Sequence, residues 1–150
     1  MSKESSDNIC YSDLTLEEIL EKREINNPKN PINRASLRTL KDKKNLIGAE
    51  IGVSTGDNAF DMFIKLDIKK LYLIDPYTPF QGFTQVALNR HKQIAHDLLS
   101  KFDERIVWLE KPSVDAVEDI KDKELDFIYI DGNHNYKSVV NDITRLWYQR

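Results

Sequence analysis

Glycines and carboxylates follow several short apolar runs of this sequence. Those that could take part in chemistry are Glu50, Gly52, Gly56, Asp75 and Asp131, and they are joined by Ser113 and His134. Carboxylates accept hydrogen bonds from ammonium and hydroxyl groups. Glycine allows the backbone to turn tightly or to approach a ligand closely. If the apolar runs are strands whose ends meet, these residues predict a site for a polar small molecule.

The turn around Gly52 and Gly56 does not fit the common phosphate-binding patterns. A P-loop needs Lys and Ser or Thr behind its last glycine, whereas Asp57 and Asn58 follow Gly56. The dinucleotide fingerprint needs three glycines, and here Glu50 would meet the pyrophosphate. A P-loop is therefore excluded, and a nicotinamide-dependent oxidoreductase is disfavoured. A cofactor that presents an ammonium group suits this acidic turn better, because carboxylates are charged acceptors.

Strands and helices alternate along most of the chain. Four apolar runs predict buried strands: Leu46–Ile51, Lys70–Asp75, Arg105–Glu110 and Leu125–Asp131. Between and after them, amphipathic patterns predict helices at Asn58–Ile64, Thr84–Phe102 and Val114–Ile120, and a further helix with Val139, Val140, Ile143, Leu146 and Trp147 on one face. Apolar strands joined by helices are typical of a parallel sheet covered on both faces. The sequence therefore predicts an α/β fold with a Rossmann-like, doubly wound, mainly parallel sheet, which binds ligands at the carboxyl ends of its strands.

Three segments divide the chain. Residues 1–12 are expected to be a flexible tail, 13–45 a pair of N-terminal helices with a loop, and 46–150 the ligand-binding domain. In the middle segment, Leu14–Ile25 has a helical pattern that begins at Thr15, Asn26–Asn33 holds two prolines, and a polar helix is expected from Arg34 to Lys44. His91 and His96 are five residues apart, which does not suit a metal pair on a helix, and both are expected at the surface.

Composition narrows the classes of partner. The chain has 22 basic and 25 acidic residues and a net charge of −3, which gives no electrostatic preference for nucleic acid. The N-terminus lacks the apolar block of a signal peptide, and no apolar run approaches the length of a membrane span. The single cysteine, Cys10, cannot form an internal disulfide. We therefore expect a cytoplasmic protein that contacts neither nucleic acid nor membrane.

The motifs resemble those of a known enzyme family. Glu50-x-Gly52-x-x-x-Gly56 after the first strand, with Asp75 closing the second, resembles motifs I and II of class I S-adenosylmethionine-dependent methyltransferases. The stretch "LDFIYIDGNHNYKSVVNDI" (Leu125–Ile143) is similar to the Asp-Gly-x-His-x-Tyr signature of the branch that includes sugar and macrolide O-methyltransferases. "IDPY" after the second strand and "PSVDAV" after the third also resemble that branch.

The resemblance implies roles for the residues that match it. Glu50, Gly52, Gly56, Asp75, Ser113 and Asp131 would contact S-adenosylmethionine, with Asp75 accepting hydrogen bonds from the ribose hydroxyls. Asp131 would bind a divalent cation such as Mg²⁺ in the metal-dependent members, and His134 would serve as a general base. Three purely structural alternatives stay open. Gly52 and Gly56 could simply permit a tight strand-to-helix turn. Asp75 and Asp131 could be helix caps, and His134 could only hold its loop by hydrogen bonds.

The family fold has seven strands, and this sequence supplies four of them. The chain stops inside an apolar helical pattern at Arg150. We therefore expect the N-terminal, cofactor-binding part of a methyltransferase that acts on a small hydroxylated or sugar-like acceptor. The fourth strand would then be an exposed edge that a partner, such as a second copy in a homo-oligomer, or a continuation of the chain would cover. The rival interpretation is a non-catalytic module that binds an adenosine ligand or another chain.

Overall fold

The structure is a computed structural model that describes residues 9–26, 34–132 and 136–148. Its centre is a four-stranded parallel sheet, with strands β1 (Leu46–Ile51), β2 (Ile68–Ile74), β3 (Ile106–Leu109) and β4 (Phe127–Ile130). Across the sheet, the strands lie in the order β3-β2-β1-β4. The α-helices are α1 (Leu16–Asn26), α2 (Asp57–Lys65), α3 (Gln85–Leu99), α4 (Ser113–Ala116) and α5 (Tyr136–Asp142). The predicted α/β, Rossmann-like fold is confirmed.

The register of the strands brings their carboxyl ends to one edge of the sheet. Ile51, the last residue of β1, pairs with Ile74 of β2 and with Ile130 of β4. On the far side of β2, Ile74 pairs with Leu109, the last residue of β3. All four strands therefore end at the same level, and the residues that follow them share one crevice.

Helices cover both faces of the sheet, and each face has its own core. On one face, α2 and α3 contribute Phe60, Phe63 and Leu99, and the ring of Phe63 stacks on Phe102 at 4.5 Å. On the other face, Ala116 and Leu146 pack against strand residues such as Tyr72 and Ile74. This two-sided burial is the reason that most strand residues are apolar on both faces, with Glu50 in β1 and Lys69 and Lys70 at the start of β2 as exceptions.

The centre of the sheet depends on a glycine in β1. A Cβ at Gly48 would lie 2.2 Å from the ring of Phe127 in β4, a separation that no packed side chain tolerates. The Phe127 ring occupies the space that a side chain would otherwise fill. This close approach helps to fix β4 against β1 in the register observed.

The predicted helices differ from the observed ones mainly at their ends. The helix expected from Arg34 to Lys44 is instead a 3₁₀-helix at Ala35–Leu40. Leu37 and Leu40 pack against the core and are three residues apart, which matches the period of a 3₁₀-helix. The long helix expected to reach Phe102 ends at Leu99 and continues as a 3₁₀-helix, and the helix expected to reach Ile120 changes to a 3₁₀-helix at Val117.

The N-terminal helix α1 begins where the sequence predicted. The backbone N–H of Thr15 donates to Glu18 Oε2 at 2.8 Å, and the N–H of Glu18 donates to Thr15 Oγ1 at 3.2 Å. This reciprocal pair is a capping box. The predicted loop after α1 lies largely outside the described residues. Within the described ranges, no helix is both long and apolar enough to cross a membrane.

Candidate functional site

A cavity of about 370 Å³ lies at the carboxyl ends of the strands. Four of the residues predicted from the sequence line it: Gly52, Asp75, Ser113 and Asp131. Glu50 and Gly56 are not among the residues that line it. His134 lies outside the described residues. The structure thus brings together the exits of β1, β2, β3 and β4 in one ligand-sized space.

Gly52 and Gly56, the two glycines of the first turn, are required for different structural reasons. Gly52 has a φ of +86°, and a Cβ there would lie 2.5 Å from the Cα of Gly132 and 2.6 Å from the carbonyl oxygen of Asp131. Gly56 has a φ of +81°, and its Cβ would lie 3.1 Å from Leu99 Cδ1 in α3. Gly52 therefore lets the exits of β1 and β4 meet beside the cavity, whereas Gly56 lets α2 begin close to α3.

Asp75 holds the first turn as well as lining the cavity. Its Oδ2 accepts hydrogen bonds from the N–H groups of Val53 at 2.9 Å and Ser54 at 3.0 Å, and its Oδ1 accepts one from Tyr77 N–H at 2.8 Å. A carboxylate has about four acceptor positions. Three of them are used by the backbone, so Asp75 has capacity for roughly one more strong hydrogen bond from a ligand hydroxyl.

Glu50 is a buried carboxyl group beside the turn. It is 1% exposed, and Asn58 Nδ2 donates to its Oε1 at 2.7 Å. Among the described residues, no group hydrogen-bonds its second oxygen, Oε2. Burial raises the pKa of Glu50 to about 8, and the hydrogen bond from Asn58 only partly opposes that effect. A cation that reached Oε2 would satisfy it and favour the ionised form.

Asp131 forms an ion pair that the sequence did not reveal. Its Oδ2 lies 3.2 Å from the guanidinium of Arg34, the residue just before the 3₁₀-helix Ala35–Leu40. The same guanidinium donates to the hydroxyl of Tyr129 in β4. The segment before β1 therefore reaches across the end of β4. Nothing in the sequence distinguishes Arg34 from Arg38, so only the fold could identify it.

Asp142 is a second carboxyl group at the cavity that sequence reasoning missed. It lies on α5, is 5% exposed, and accepts a hydrogen bond from the Ser113 hydroxyl. Burial raises its pKa. A signal was present, because Val139, Asp142 and Leu146 are three and four residues apart and share one face of a helix. A carboxylate on a face that is otherwise apolar marks a buried polar site.

His91 corrects one prediction. It was expected to be a surface residue, but it is half-buried and lines the cavity. Its Nδ1 lies 3.3 Å from Ser54 Oγ, and its ring centroid is 5.9 Å from that of Phe83. His96 is also half-buried and stacks on Trp108 at 3.8 Å. The helical period predicts how the two histidines are spaced on α3. It does not predict that the segment containing Phe83 packs over His91.

Two exposed aromatic side chains form the rim of the cavity. Phe80 and Phe83, in the segment between β2 and α3, are 43% and 45% exposed, and their ring centroids are 5.6 Å apart. Large apolar side chains that line a cavity and stay exposed are typical of a surface that a ligand covers.

The predicted cation ligand Asp131 is not joined by further metal-binding groups in the part of the chain that the structure describes. No three His, Cys, Asp or Glu side chains come together there in an arrangement that could hold a metal ion. Hard divalent cations take about six oxygen ligands. Metal binding by Asp131 therefore stays a prediction.

Comparison with known families adds an independent observation. Residues 49–150 match the family model described as a methyltransferase domain. No curated protein matches the chain. The matched range begins inside β1 and includes every residue that lines the cavity. The match agrees with the parallel sheet and with the glycine turn at its carboxyl edge, and the chain therefore belongs to the methyltransferase domain family.

Proposed function

We propose that the methyl donor of this protein is S-adenosylmethionine, bound in the cavity at the carboxyl ends of the strands. The observation that carries the proposal is Asp75, which lines the cavity at the end of β2 with one acceptor position to spare. Glu50 on the neighbouring strand β1 is not among the lining residues, but it has a buried oxygen without a hydrogen-bond partner in the described chain. An α-ammonium group and a ribose hydroxyl are the donors that these two acids would accept.

The remaining residues of the turn support the same fit. Gly52 brings the exits of β1 and β4 together at the cavity wall, and Gly56 fixes the start of α2 against α3. In this turn, the backbone N–H groups of Val53 and Ser54 already donate to Asp75. The carboxyl group of Glu50 beside it is already desolvated. A site of this kind loses little entropy when it binds its ligand, because its groups are already positioned.

Methyl transfer to oxygen is the reaction that we propose. When bound, the cofactor supplies an electrophilic methyl group. Transfer would join the acceptor oxygen to the methyl carbon as the methyl–sulfur bond breaks, and the hydroxyl proton would pass to a base. Asp131 and His134 are our candidates for groups that orient and deprotonate the acceptor, on the resemblance of their motif. A positioned base of this kind contributes typically 10²–10⁴-fold to a rate.

The acceptor that we propose is a small hydroxylated or sugar-like molecule. Asp131 and Arg34 provide a carboxylate and a guanidinium at the edge of the site, and together they accept and donate hydrogen bonds. A polyhydroxylated ligand uses both kinds of group. A Mg²⁺ ion at Asp131 would share this carboxylate with the Arg34 guanidinium, which lies 3.2 Å from Oδ2, so the proposal rests on the cofactor and not on the cation. A cytoplasmic location and a homo-oligomeric state belong to the same proposal.

The experiment is a methyl-transfer assay with S-adenosylmethionine over a panel of sugars, phenols and macrolides, read by mass increase of the acceptor. The proposal expects a methylated oxygen in at least one acceptor and a large loss of rate in Asp131→Asn. Asp103→Asn, at an exposed position, is the matched control. Binding of the cofactor without transfer to any acceptor would instead support a module that binds an adenosine ligand without chemistry.

A further inference from the structure

The cavity is bordered by two phenylalanines that the proposed cofactor contacts do not use. Phe80 and Phe83 line the cavity, yet they are 43% and 45% exposed. Their ring centroids are 5.6 Å apart and their planes are inclined by 32°. We call this pair the aromatic rim. Large apolar side chains that stay in solvent at the edge of a cavity indicate a binding surface for a further ligand.

A tight turn places the two rings of the aromatic rim side by side. The backbone N–H of Phe83 donates to the carbonyl oxygen of Phe80 at 2.9 Å. The two residues between them, Gln81 and Gly82, have φ values of +45° and +85°. Positive φ at both central positions is typical of a type I′ turn. The spacing of the two rings is therefore built into the backbone.

The segment that carries the aromatic rim is fastened to the glycine turn through Tyr77. The N–H of Tyr77 donates to Asp75 Oδ1 at 2.8 Å, and its hydroxyl donates to the carbonyl oxygen of Ser54 at 2.9 Å. Gln85 Nε2, at the start of α3, donates to the carbonyl oxygen of Tyr77 at 2.9 Å. A ligand that packs on the rim therefore meets a segment that is already positioned, which lowers the entropy cost of binding.

The charges of the cavity narrow the chemistry of this ligand. Three aspartates, Asp75, Asp131 and Asp142, are among the lining residues, and among the described residues that line the cavity there is no lysine or arginine. An anionic group that entered would face these carboxylates, and such like-charge contacts are unfavourable. His91, whose ring centroid is 5.9 Å from that of Phe83, places an imidazole beside the rim that can hydrogen-bond a hydroxyl group.

The proposed reaction needs a second ligand beside the cofactor, and the hydroxyl of that ligand must enter the cavity past its rim. Aromatic rings attract one another in stacked or edge-to-face geometry by about 0.5–1.5 kcal/mol beyond the burial of their area. We propose that the acceptor is an uncharged phenolic compound whose ring packs on Phe80 and Phe83 and whose hydroxyl points into the cavity. The inference rests on the proposed function and narrows its hydroxylated acceptors to one class.

The first test compares three probes by calorimetry in the full chain saturated with S-adenosylhomocysteine. They are 2-naphthol, its saturated analogue decahydro-2-naphthol, and 3-hydroxy-2-naphthoate, which carries a carboxylate beside the hydroxyl. We expect the saturated analogue to bind about threefold more weakly than 2-naphthol or worse, because it lacks the ring–ring geometry. The carboxylate should weaken binding at least about 10-fold, because it would enter a cavity lined by aspartates.

The double variant Phe80→Ala/Phe83→Ala should bind 2-naphthol at least about 5-fold more weakly than the wild type. Its affinity for S-adenosylhomocysteine should stay within about twofold, which also shows that it is folded. Val86→Ala is the matched control, because Val86 is an apolar residue of α3 that is 80% exposed and does not line the cavity. An equal loss of affinity for S-adenosylhomocysteine in the double variant would assign the rim to the cofactor and overturn the inference.

The second test is methyl transfer from S-adenosylmethionine to the same probes and to methyl glucoside. The wild type should methylate the oxygen of 2-naphthol, and the double variant should raise KM for it more than it lowers kcat, as expected when ground-state binding is lost. Transfer to methyl glucoside but not to 2-naphthol, or equal binding of 2-naphthol by the wild type and the double variant, would overturn the inference alone. Failure of S-adenosylhomocysteine to bind, or absence of transfer to any acceptor, would overturn the proposed function.

Discussion

Glu50 is an acidic residue at a buried strand position, where apolar side chains are usual. It sits on the central strand β1, pairs in register with Leu73 and Tyr129, and is almost completely buried. Burial disfavours the charged form of a carboxyl group, and this is why its pKa is raised to about 8. The protein retains a costly group beside the cavity, which is typical of functional positions.

The raised pKa of Glu50 predicts how stability depends on pH. The folded state holds this proton more tightly than the unfolded state, whose pKa is near 4.5, so stability falls as pH rises toward about 8. Asp61, with its pKa raised to about 6, has the same sign but finishes titrating earlier. Between about pH 6.5 and about pH 8, Glu50 makes the largest contribution of these two acids to the pH dependence of stability. The free energy of unfolding can fall there by about 1.4 kcal/mol per pH unit.

Urea unfolding at several pH values measures this slope. Glu50→Gln should flatten it, because glutamine does not titrate, whereas Glu118→Gln at an exposed position should leave it unchanged. Equal slopes in the wild type and in Glu50→Gln would show that Glu50 is not protonated in the folded protein.

A second prediction at the residue scale uses two glycines with nearly the same backbone angle. Gly52 and Gly82 have φ values of +86° and +85°, so alanine is strained at both. A Cβ at Gly82 would have no neighbouring atom within 4 Å among the described residues, whereas a Cβ at Gly52 would meet the backbone of Gly132. Gly82→Ala should cost about 1 kcal/mol of stability, and Gly52→Ala about 3 kcal/mol or more. Similar losses in chemical denaturation would contradict the close approach of the two strand exits.

At the scale of elements, α1 is attached to the domain by the fully buried side chain of Ile19 and by the charged contacts of Arg23. Arg23 lies over the ring of Phe60 at 4.6 Å, pairs with Asp57 at 2.8 Å, and reaches Asp61 at 3.7 Å. Both acids are on α2, the helix that follows the glycine turn. The N-terminal helix therefore packs directly on the element that positions the candidate site.

Removing the Arg23 contacts should loosen α1 before the rest of the protein. Arg23→Ala leaves the buried carboxyl of Asp61 without its ion pair and should cost about 1–3 kcal/mol. Hydrogen exchange should rise in α1 first, and Arg38→Ala, at an exposed position, should change little. Unchanged protection of α1 in Arg23→Ala would mean that other contacts hold the helix.

The elements themselves were largely predictable from local patterns. β1 has its predicted bounds, because a run of apolar residues ends at a glycine, and α1 begins at the Thr15–Glu18 capping box. The helices near Arg34 and Ser113 were less predictable, since short polar segments become α- or 3₁₀-helical according to what they pack against. The doubly wound, parallel type of sheet was predictable because apolar strands alternate with helices.

At the scale of the whole molecule, the site was predictable only where strands end. Asp75 and Asp131 follow strands, and the parallel sheet places such residues at one edge. Arg34 and His91 reach the same region from the segment before the sheet and from α3, and no local pattern in the sequence specifies that approach. Asp142 was marked by its place on an otherwise apolar helix face, but long-range packing determines that this face borders the cavity.

The central claim is that this cavity binds the S-adenosyl cofactor through Asp75. Calorimetric titration of S-adenosylhomocysteine into the wild type, Asp75→Asn and the exposed control Asp103→Asn tests it most directly. We predict saturable one-site binding that Asp75→Asn weakens by about 1–3 kcal/mol and that Asp103→Asn leaves unchanged. No binding by the wild type, or equal affinity in a folded Asp75→Asn, would contradict the claim.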